Sequence, residues 1–201
     1  YRFPEQQEFL VSFFKKYPQY GRVSWIFSII NYDYASAAAT LYDITSGDRA
    51  SAMTLESAQL YLNIAKLSTL AAHENHANVN LLGALKRIQA NLDVVDGGKD
   101  LVEKLKRVDG APSHLQANYK GTEFEKLFDL LVKKVTNGTM LQFVEVVILY
   151  SLIDDKECLY HALKLLAIDG DILELELKKF LISLIWRRSI LFDIQNAYDT
   201  T

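Results

Sequence analysis

The chain has 201 residues, of which 50% are hydrophobic and 23% charged, and its formal net charge is −3. This balance excludes an intrinsically disordered chain; the lack of a basic excess argues against nucleic-acid binding, and no apolar run is long enough to span a membrane. The single cysteine, Cys158, cannot form an internal disulfide, which excludes a disulfide-stapled secreted module and favours a reducing compartment.

Helical periodicity dominates the first part of the chain. Apolar residues three and four positions apart predict amphipathic helices over 5–16 and 23–31. A third helix is predicted over 33–45, with Asp33 as its N-cap and Gly47 as its C-terminal stop.

The segment 54–73 is the most informative of the predicted helices, and Thr54 suits its N-cap. One side of its helical projection holds Leu60, Ile64, Leu67 and Ala71. The apolar arc then continues around the helix through Ala58, Leu62, Ala65 and Ala72. This arc covers about 220°, roughly twice the stripe of an ordinary surface helix. Such a helix must be covered on two sides.

The remaining chain also favours helices. One is predicted over 77–95, ending at Asp96-Gly97-Gly98, followed by a short charged helix over 99–108 and a loop over 109–119. Later helices are predicted over 123–135, 140–152, 157–167 and 172–186. The alternating leucines and glutamates of 173–177 resemble a strand pattern, but they continue into a helical apolar stripe without a turn signal.

These elements predict an all-α fold, an irregular α-helical stack (α-solenoid-like) of about ten helices, with sequential helices antiparallel. Glycine and proline positions divide it into a block over 1–96, a linker with a short helix over 97–121, and a block over 122–201. The chain begins at Tyr1 without a methionine or a signal-peptide profile, so we expect it to be part of a longer protein.

Four segments invite a chemical interpretation, and each has a simpler one. His73 and His76 are three apart, whereas the zinc-protease pattern needs a spacing of four, so a solvated turn is favoured. Residues 169–171 lack the glycine and glutamate of a calcium loop, which favours a turn with Asp171 as N-cap. The sequon at 137–139 fits a turn between helices, and Cys158 fits a small buried hydrophobe. We therefore expect no catalytic residues, no cofactor and no metal.

Three segments, in order, resemble the C-terminal helical region of the nucleoporin 133 family. They are Val23-Ser24-Trp25-Ile26, the alanine-rich Ala37-Ala38-Ala39-Thr40-Leu41, and Leu62-Asn63-Ile64-Ala65-Lys66-Leu67-Ser68-Thr69-Leu70-Ala71. They follow the family's serine-tryptophan-aliphatic helix, its A-x-x-T-L helix and its L-x-L-x-K-L-x-x-L-A helix. The resemblance resumes over 143–188, where Ala162-Leu163-Lys164-Leu165-Leu166-Ala167-Ile168-Asp169 follows the family order. It is weak over 97–121.

The resemblance implies a non-enzymatic scaffold at the nuclear pore complex, in the nuclear envelope of the nucleus. In this family the C-terminal part docks tail-to-tail onto the C-terminal helical region of nucleoporin 107 (nucleoporin 84 in fungi) within the Y-complex. Other Y-complex subunits are reached indirectly, and no direct nucleic-acid contact is implied. The role implied is support of pore assembly, nucleocytoplasmic transport and mRNA export.

The family pattern places the partner contact on the helix that matches 60–71, the helix with the overly wide apolar arc. We predict that Leu60, Ile64 and Leu67 face the partner and that Ala71 permits close backbone approach. Leu41 and Tyr42, on the preceding helix, are predicted to flank the contact. The opposite arc, with its alanines, is predicted to face the chain's own helices.

Two alternatives remain open. The whole of 60–72 could be intramolecular core, with no partner contact. The chain could also be a helical adaptor of another coat or solenoid complex with a different protein partner.

Overall fold

The structure, a computed structural model, describes residues 4–46, 50, 52–74, 80–107, 121–153 and 155–199. Within these ranges the chain forms nine α-helices and no strand, which confirms the all-α class. The helices are α1 (Pro4–Lys16), α2 (Ser24–Ile30), α3 (Tyr34–Ile44), α4 (Leu55–Glu74), α5 (Leu81–Arg107), α6 (Glu123–Thr136), α7 (Phe143–Leu152), α8 (Lys156–Asp169) and α9 (Leu175–Asp199).

Side-chain caps explain where several helices begin. The Asp33 carboxylate accepts a hydrogen bond from the Ser36 backbone N–H at 3.1 Å, and the Thr54 hydroxyl accepts one from the Ser57 N–H at 3.2 Å. Both predicted caps are confirmed, and each satisfies a backbone donor that has no partner within the helix. The predicted stop at Gly47 and the predicted loop over 109–119 lie outside the described residues.

The helix predicted to end at Asp96 continues to Arg107, so that prediction is wrong. Two adjacent glycines weaken a helix by about 1 kcal/mol each relative to alanine, which is why the sequence indicated a break. Packing explains the continuation. A Cβ atom on Gly97 would lie 3.1 Å from Val146 Cγ1 and 3.5 Å from Tyr150 Cε2, so glycine allows α5 to approach α7 closely.

The last helix differs from its prediction at both ends. It begins at Leu175 and ends at Asp199. The helix continues this far because no glycine or proline follows Gly170 to end it. Asp171 is not its N-cap, contrary to the prediction. That residue lies in a 3₁₀ turn, Gly170–Ile172, and its carboxylate pairs with Lys178 Nζ at 3.1 Å.

The chain divides into two compact units, Tyr1–Leu92 and Asp93–Thr201, and the division falls within α5. In the first unit α3 packs on α4 and α2 packs on α3. Fully buried side chains from α3 and α4 form its core: Ala37, Leu41, Ala58, Leu62 and Ala65. The three-part division predicted from the sequence stays a prediction, although residues 97–107 of its linker belong to α5.

The second unit is built around α7, which packs against α6, α8 and α9. Large apolar side chains from each of these helices are fully buried there: Leu131, Val147, Leu149, Leu166, Leu181 and Ile185. Between α6 and α7 the chain turns at Gly138, whose φ of +70° suits glycine. The sequon at 137–139 therefore lies in an inter-helix turn, as predicted.

Candidate protein-docking surface

One side of α4 packs against its own unit, and the other is open. Ala58, Leu62 and Ala65 are fully buried, and Ala72 is nearly so. This confirms the prediction that the alanine-rich arc faces the chain's own helices. Alanines shorten the distance at which a neighbouring helix can pack, which suits the close contact of α3 with α4.

The opposite side of α4 presents large apolar side chains to solvent. The side chains of Leu60 and Leu67 are 57% and 66% exposed, while Ile64 and Ala71 are partly exposed. At 100° per residue these four lie within about 60° of one another. Leu60, Ile64, Leu67 and Ala71 are called the α4 docking face below.

Two side-chain contacts mark the edges of the α4 docking face. On one edge, Lys66 Nζ donates a hydrogen bond to Gln89 Oε1 at 2.9 Å. On the other, the ring of Tyr61 packs against Trp25 of α2, with ring centroids 6.1 Å apart. These contacts hold α4 within its unit without covering the leucines between them.

Leu70 is an exposed residue of α4 that the sequence reasoning did not single out. It lies about 80° from Leu60 on the helix, on the side of Asn63 and Lys66. Its neighbours on the projection are polar, which hid it from a search for the apolar arc.

The two predicted flanking residues on α3 differ in burial. Leu41 is fully buried and belongs to the core of the unit, so its side chain is not available at the surface. Tyr42 is partly exposed and lines an open groove of about 230 Å³, together with Ala38, Ala39 and Arg87. The structure therefore brings Leu60, Ile64, Leu67 and Ala71 onto one face but leaves Leu41 beneath the surface.

Side chains with metal-binding or nucleophilic potential do not form a reactive site in the part of the chain that the structure describes. No group of three histidine, cysteine or carboxylate side chains is placed there to hold a metal ion, and His76 lies outside those residues. Cys158 is fully buried, as predicted. Burial, and then the neighbouring Asp155 carboxylate, raises the pKa of the Cys158 thiol to about 12, so the thiol stays protonated.

The second unit holds a cavity of about 340 Å³ between α5, α7 and α8. At its wall the Tyr150 hydroxyl donates a hydrogen bond to Asp100 Oδ2 at 2.7 Å, and the Tyr150 ring stacks on His161 with centroids 5.7 Å apart. Burial, followed by the Asp100 carboxylate, raises the pKa of Tyr150 far above its usual range. The hydroxyl is therefore held as a neutral donor and serves to join α7 to α5.

None of the helices over the described ranges combines the length and the apolar character that crossing a bilayer requires.

Comparison with known proteins shows which family the chain is similar to. Residues 3–137 match the family model described as non-repetitive/WGA-negative nucleoporin C-terminal, and this range includes all of α4. Over 200 residues the chain is 37% identical to nucleoporin NUP133 of Saccharomyces cerevisiae. That alignment covers 99% of this chain but 17% of the relative, so the chain spans about one sixth of the relative's length.

Proposed function

Because the chain belongs to the nucleoporin 133 family, a family of the nuclear pore complex at the nuclear envelope, we propose that it is a structural docking module of that complex. Its partner is the C-terminal helical region of nucleoporin 107 (nucleoporin 84 in fungi), which it meets tail-to-tail. Through this contact the chain supports the Y-complex, and with it pore assembly, nucleocytoplasmic transport and mRNA export.

The segregation of side chains on α4 carries the proposal. Ala58, Leu62 and Ala65 are buried within the unit, whereas Leu60, Leu67 and Leu70 face outward. Since an exposed row of large apolar residues is unfavourable in water, it indicates a surface that a partner covers. Leu60, Ile64 and Leu67 are the anchors, and Ala71 allows the partner's backbone to approach.

The energies are sufficient for an interface anchor. Burying three aliphatic side chains contributes roughly 5–8 kcal/mol before the cost of association is subtracted. Of the two flanking residues, Tyr42 is the one available at the surface, while Leu41 acts indirectly, through the packing of α3 on α4. No bound cofactor or chemical step is part of this role.

Size-exclusion chromatography with light scattering tests the proposal directly. The chain is mixed with the C-terminal helical fragment of nucleoporin 107 or 84, and a one-to-one complex is expected. Leu67→Asp places a charge in the contact and is expected to weaken the complex by at least about 30-fold, since an anchor side chain contributes 2 kcal/mol or more. Leu67 is the better first choice than Ile64 because it is more exposed, so its substitution is expected to leave the fold intact.

Leu82 supplies the matched control. It lies on α5 in the same compact unit, is 80% exposed and is not part of the α4 docking face, so Leu82→Asp adds the same charge to another part of the surface. That variant is expected to bind normally. If wild-type chain forms no complex with the fragment, the docking proposal fails, and the alternative of a helical adaptor with another protein partner takes its place. If Leu67→Asp and Leu82→Asp both bind normally, α4 is not the contact.

A further inference from the structure

The last helix of the second unit leaves a second apolar face uncovered. Leu181, Ile185 and Arg188 of α9 are buried inward, against the rest of the unit. The outward side carries five large apolar side chains that are between 55% and 64% exposed: Leu175, Phe180, Trp186, Ile190 and Leu191.

Four of these residues, Phe180, Trp186, Ile190 and Leu191, share one side of the helix with Arg187. Trp186 and Ile190 are four residues apart, as are Arg187 and Leu191, so the four side chains are neighbours on the helix. Phe180 lies about two turns before Arg187 on the same side. The four apolar side chains on this side, Phe180, Trp186, Ile190 and Leu191, together expose on the order of 400 Å² of apolar surface, the size at which a patch on a soluble protein marks an interaction site. Phe180, Trp186, Arg187, Ile190 and Leu191 are called the α9 outer face below.

The charges around this face are balanced except at Arg187. Lys179 Nζ pairs with Glu176 Oε1 at 2.9 Å, and Asp193 Oδ1 pairs with Lys156 Nζ at 2.8 Å. Among the residues that the structure describes, no carboxylate pairs with Arg187, which is exposed between the apolar side chains. An uncompensated guanidinium beside a tryptophan is the composition typical of an interface anchor.

From this arrangement we propose that the α9 outer face binds an amphipathic helix of a protein partner, with an aspartate or glutamate of that helix opposite Arg187. The apolar stripe of the partner helix covers Trp186, Ile190 and Leu191. Its carboxylate completes the charge balance of the face, and the planar guanidinium can bind it through two hydrogen bonds. The proposal is independent of the α4 docking face, which belongs to the other compact unit.

Two other occupants fit the charges less well. An anionic membrane attracts clusters of four to eight basic residues, whereas this side of α9 carries Lys179 and Arg187, the first already paired with Glu176. A second copy of the chain would present Glu176 and Asp193, and both of these carboxylates are engaged by lysines. In a symmetric pairing of this face with itself, neither of these two carboxylates is spare for Arg187.

The fluorescence of Trp186, which lies on the proposed surface, reports peptide binding directly. The chain has two tryptophans, so Trp25→Phe leaves Trp186 as the sole tryptophan, which is excited selectively at a wavelength where tyrosine does not absorb. This form is titrated with two synthetic amphipathic helical peptides that are identical except for a glutamate or a lysine beside the leucine stripe. The glutamate peptide is expected to shift Trp186 emission to shorter wavelength and to bind at least about tenfold more tightly than the lysine peptide.

Charge reversal gives the decisive comparison. Arg187→Glu is expected to invert the preference, so that the lysine peptide binds more tightly than the glutamate peptide. Lys133→Glu, an exposed cation of α6 in the same unit, is the matched control and is expected to keep the original preference. Circular dichroism of each variant checks that the helices are retained.

Four outcomes would overturn the proposal. The first is no emission change with either peptide, and the second is equal binding of both peptides in the wild type and in Arg187→Glu. The third is an emission shift with phosphatidylserine vesicles that Arg187→Glu abolishes, which would assign the face to a lipid surface. The fourth is a concentration-dependent mass in light scattering that Trp186→Ser abolishes, which would assign it to a second copy.

Discussion

The helices α4 and α7 have similarly apolar sequences, but they differ in how much of their surface is buried. Both are apolar around most of their circumference. On α7 most of the circumference is used inside its unit, where Val146, Val147, Leu149 and Tyr150 are all buried. On α4 the burial stops halfway, and Leu60 and Leu67 remain in solvent.

The difference lies in where the large side chains are. The buried side of α7 carries valine, leucine and tyrosine on several faces, so neighbouring helices of the same unit fill the space around it. The buried side of α4 carries Ala58, Ala65 and Ala72 beside Leu62, which fits close packing against α3, while Leu60 and Leu67 are exposed. A wide apolar arc therefore shows that a helix needs covering. Large apolar side chains that stay exposed after the helix has packed, as Leu60 and Leu67 do, indicate which side is left for another molecule.

The largest expected effect on stability comes from replacing a leucine by alanine in each of the two helices. Leu149→Ala in α7 removes a fully buried side chain, and we expect it to lower the free energy of unfolding by about 3 kcal/mol because a cavity remains. Leu67→Ala in α4 removes an exposed side chain and is expected to change it by less than about 0.5 kcal/mol. Chemical denaturation followed by circular dichroism measures both. Similar losses for the two variants would contradict this difference in burial between α4 and α7.

The next effect tests how tightly α7 is enclosed. Gly97→Leu introduces a side chain whose Cβ would lie 3.1 Å from Val146 Cγ1, and we expect a loss of about 2 kcal/mol from overpacking. Gly21→Leu is the matched control, since a Cβ there meets no atom within 4 Å. A stabilised Gly97→Leu variant would mean that the gain in helix propensity outweighs the close approach of α5 to α7.

A smaller effect is expected from the hydroxyl of Tyr150. Tyr150→Phe keeps the buried ring but removes the hydrogen bond to Asp100 Oδ2, so we expect a loss of about 1.5 kcal/mol. Tyr160→Phe removes an exposed hydroxyl on α8 and is expected to leave the denaturation midpoint unchanged. Equal midpoints for the two variants would mean that water replaces the Tyr150 hydrogen bond without loss.

Local features of the fold could be predicted from the sequence because they depend on residues close together in the chain. Asp33 and Thr54 cap their helices through bonds to backbone groups three residues on, and helical spacing alone separates the two sides of α4. The wide apolar arc and the family resemblance indicated the same helix.

Features that depend on packing between distant segments could not be predicted. The α5 helix passes through Gly97 because α7 lies against it, and the Tyr150–Asp100 bond joins residues 50 positions apart. Leu41 matches the family's motif, but its burial follows from the packing of α3 on α4. The α9 outer face was hidden for a similar reason, since an apolar residue in a helix can face either the core or the solvent.

The smallest expected effect is electrostatic and depends on pH. Lys104 Nζ of α5 pairs with Glu157 Oε2 of α8 at 2.8 Å, near the cavity that Tyr150 lines. The hydrogen bond and the charge of Lys104 lower the pKa of Glu157 below its usual range. Burial alone would lower the pKa of Lys104. The hydrogen bond from Lys104 to Glu157 and the charge of Asp100 outweigh this effect, so the pKa of Lys104 is raised.

The sign of the pH dependence follows from these directions. A lowered pKa in the folded state stabilises the fold above the ordinary pKa of a glutamate, and this stabilisation is lost as the pH falls through the lowered value. Glu157→Gln is therefore expected to lower Tm slightly at pH 7, by less than Tyr150→Phe does. The difference from wild type should disappear as the pH falls through the acid range, and it should shrink in high salt because Glu157 is largely exposed. A difference that persists at low pH would mean that Glu157 acts through packing rather than through charge.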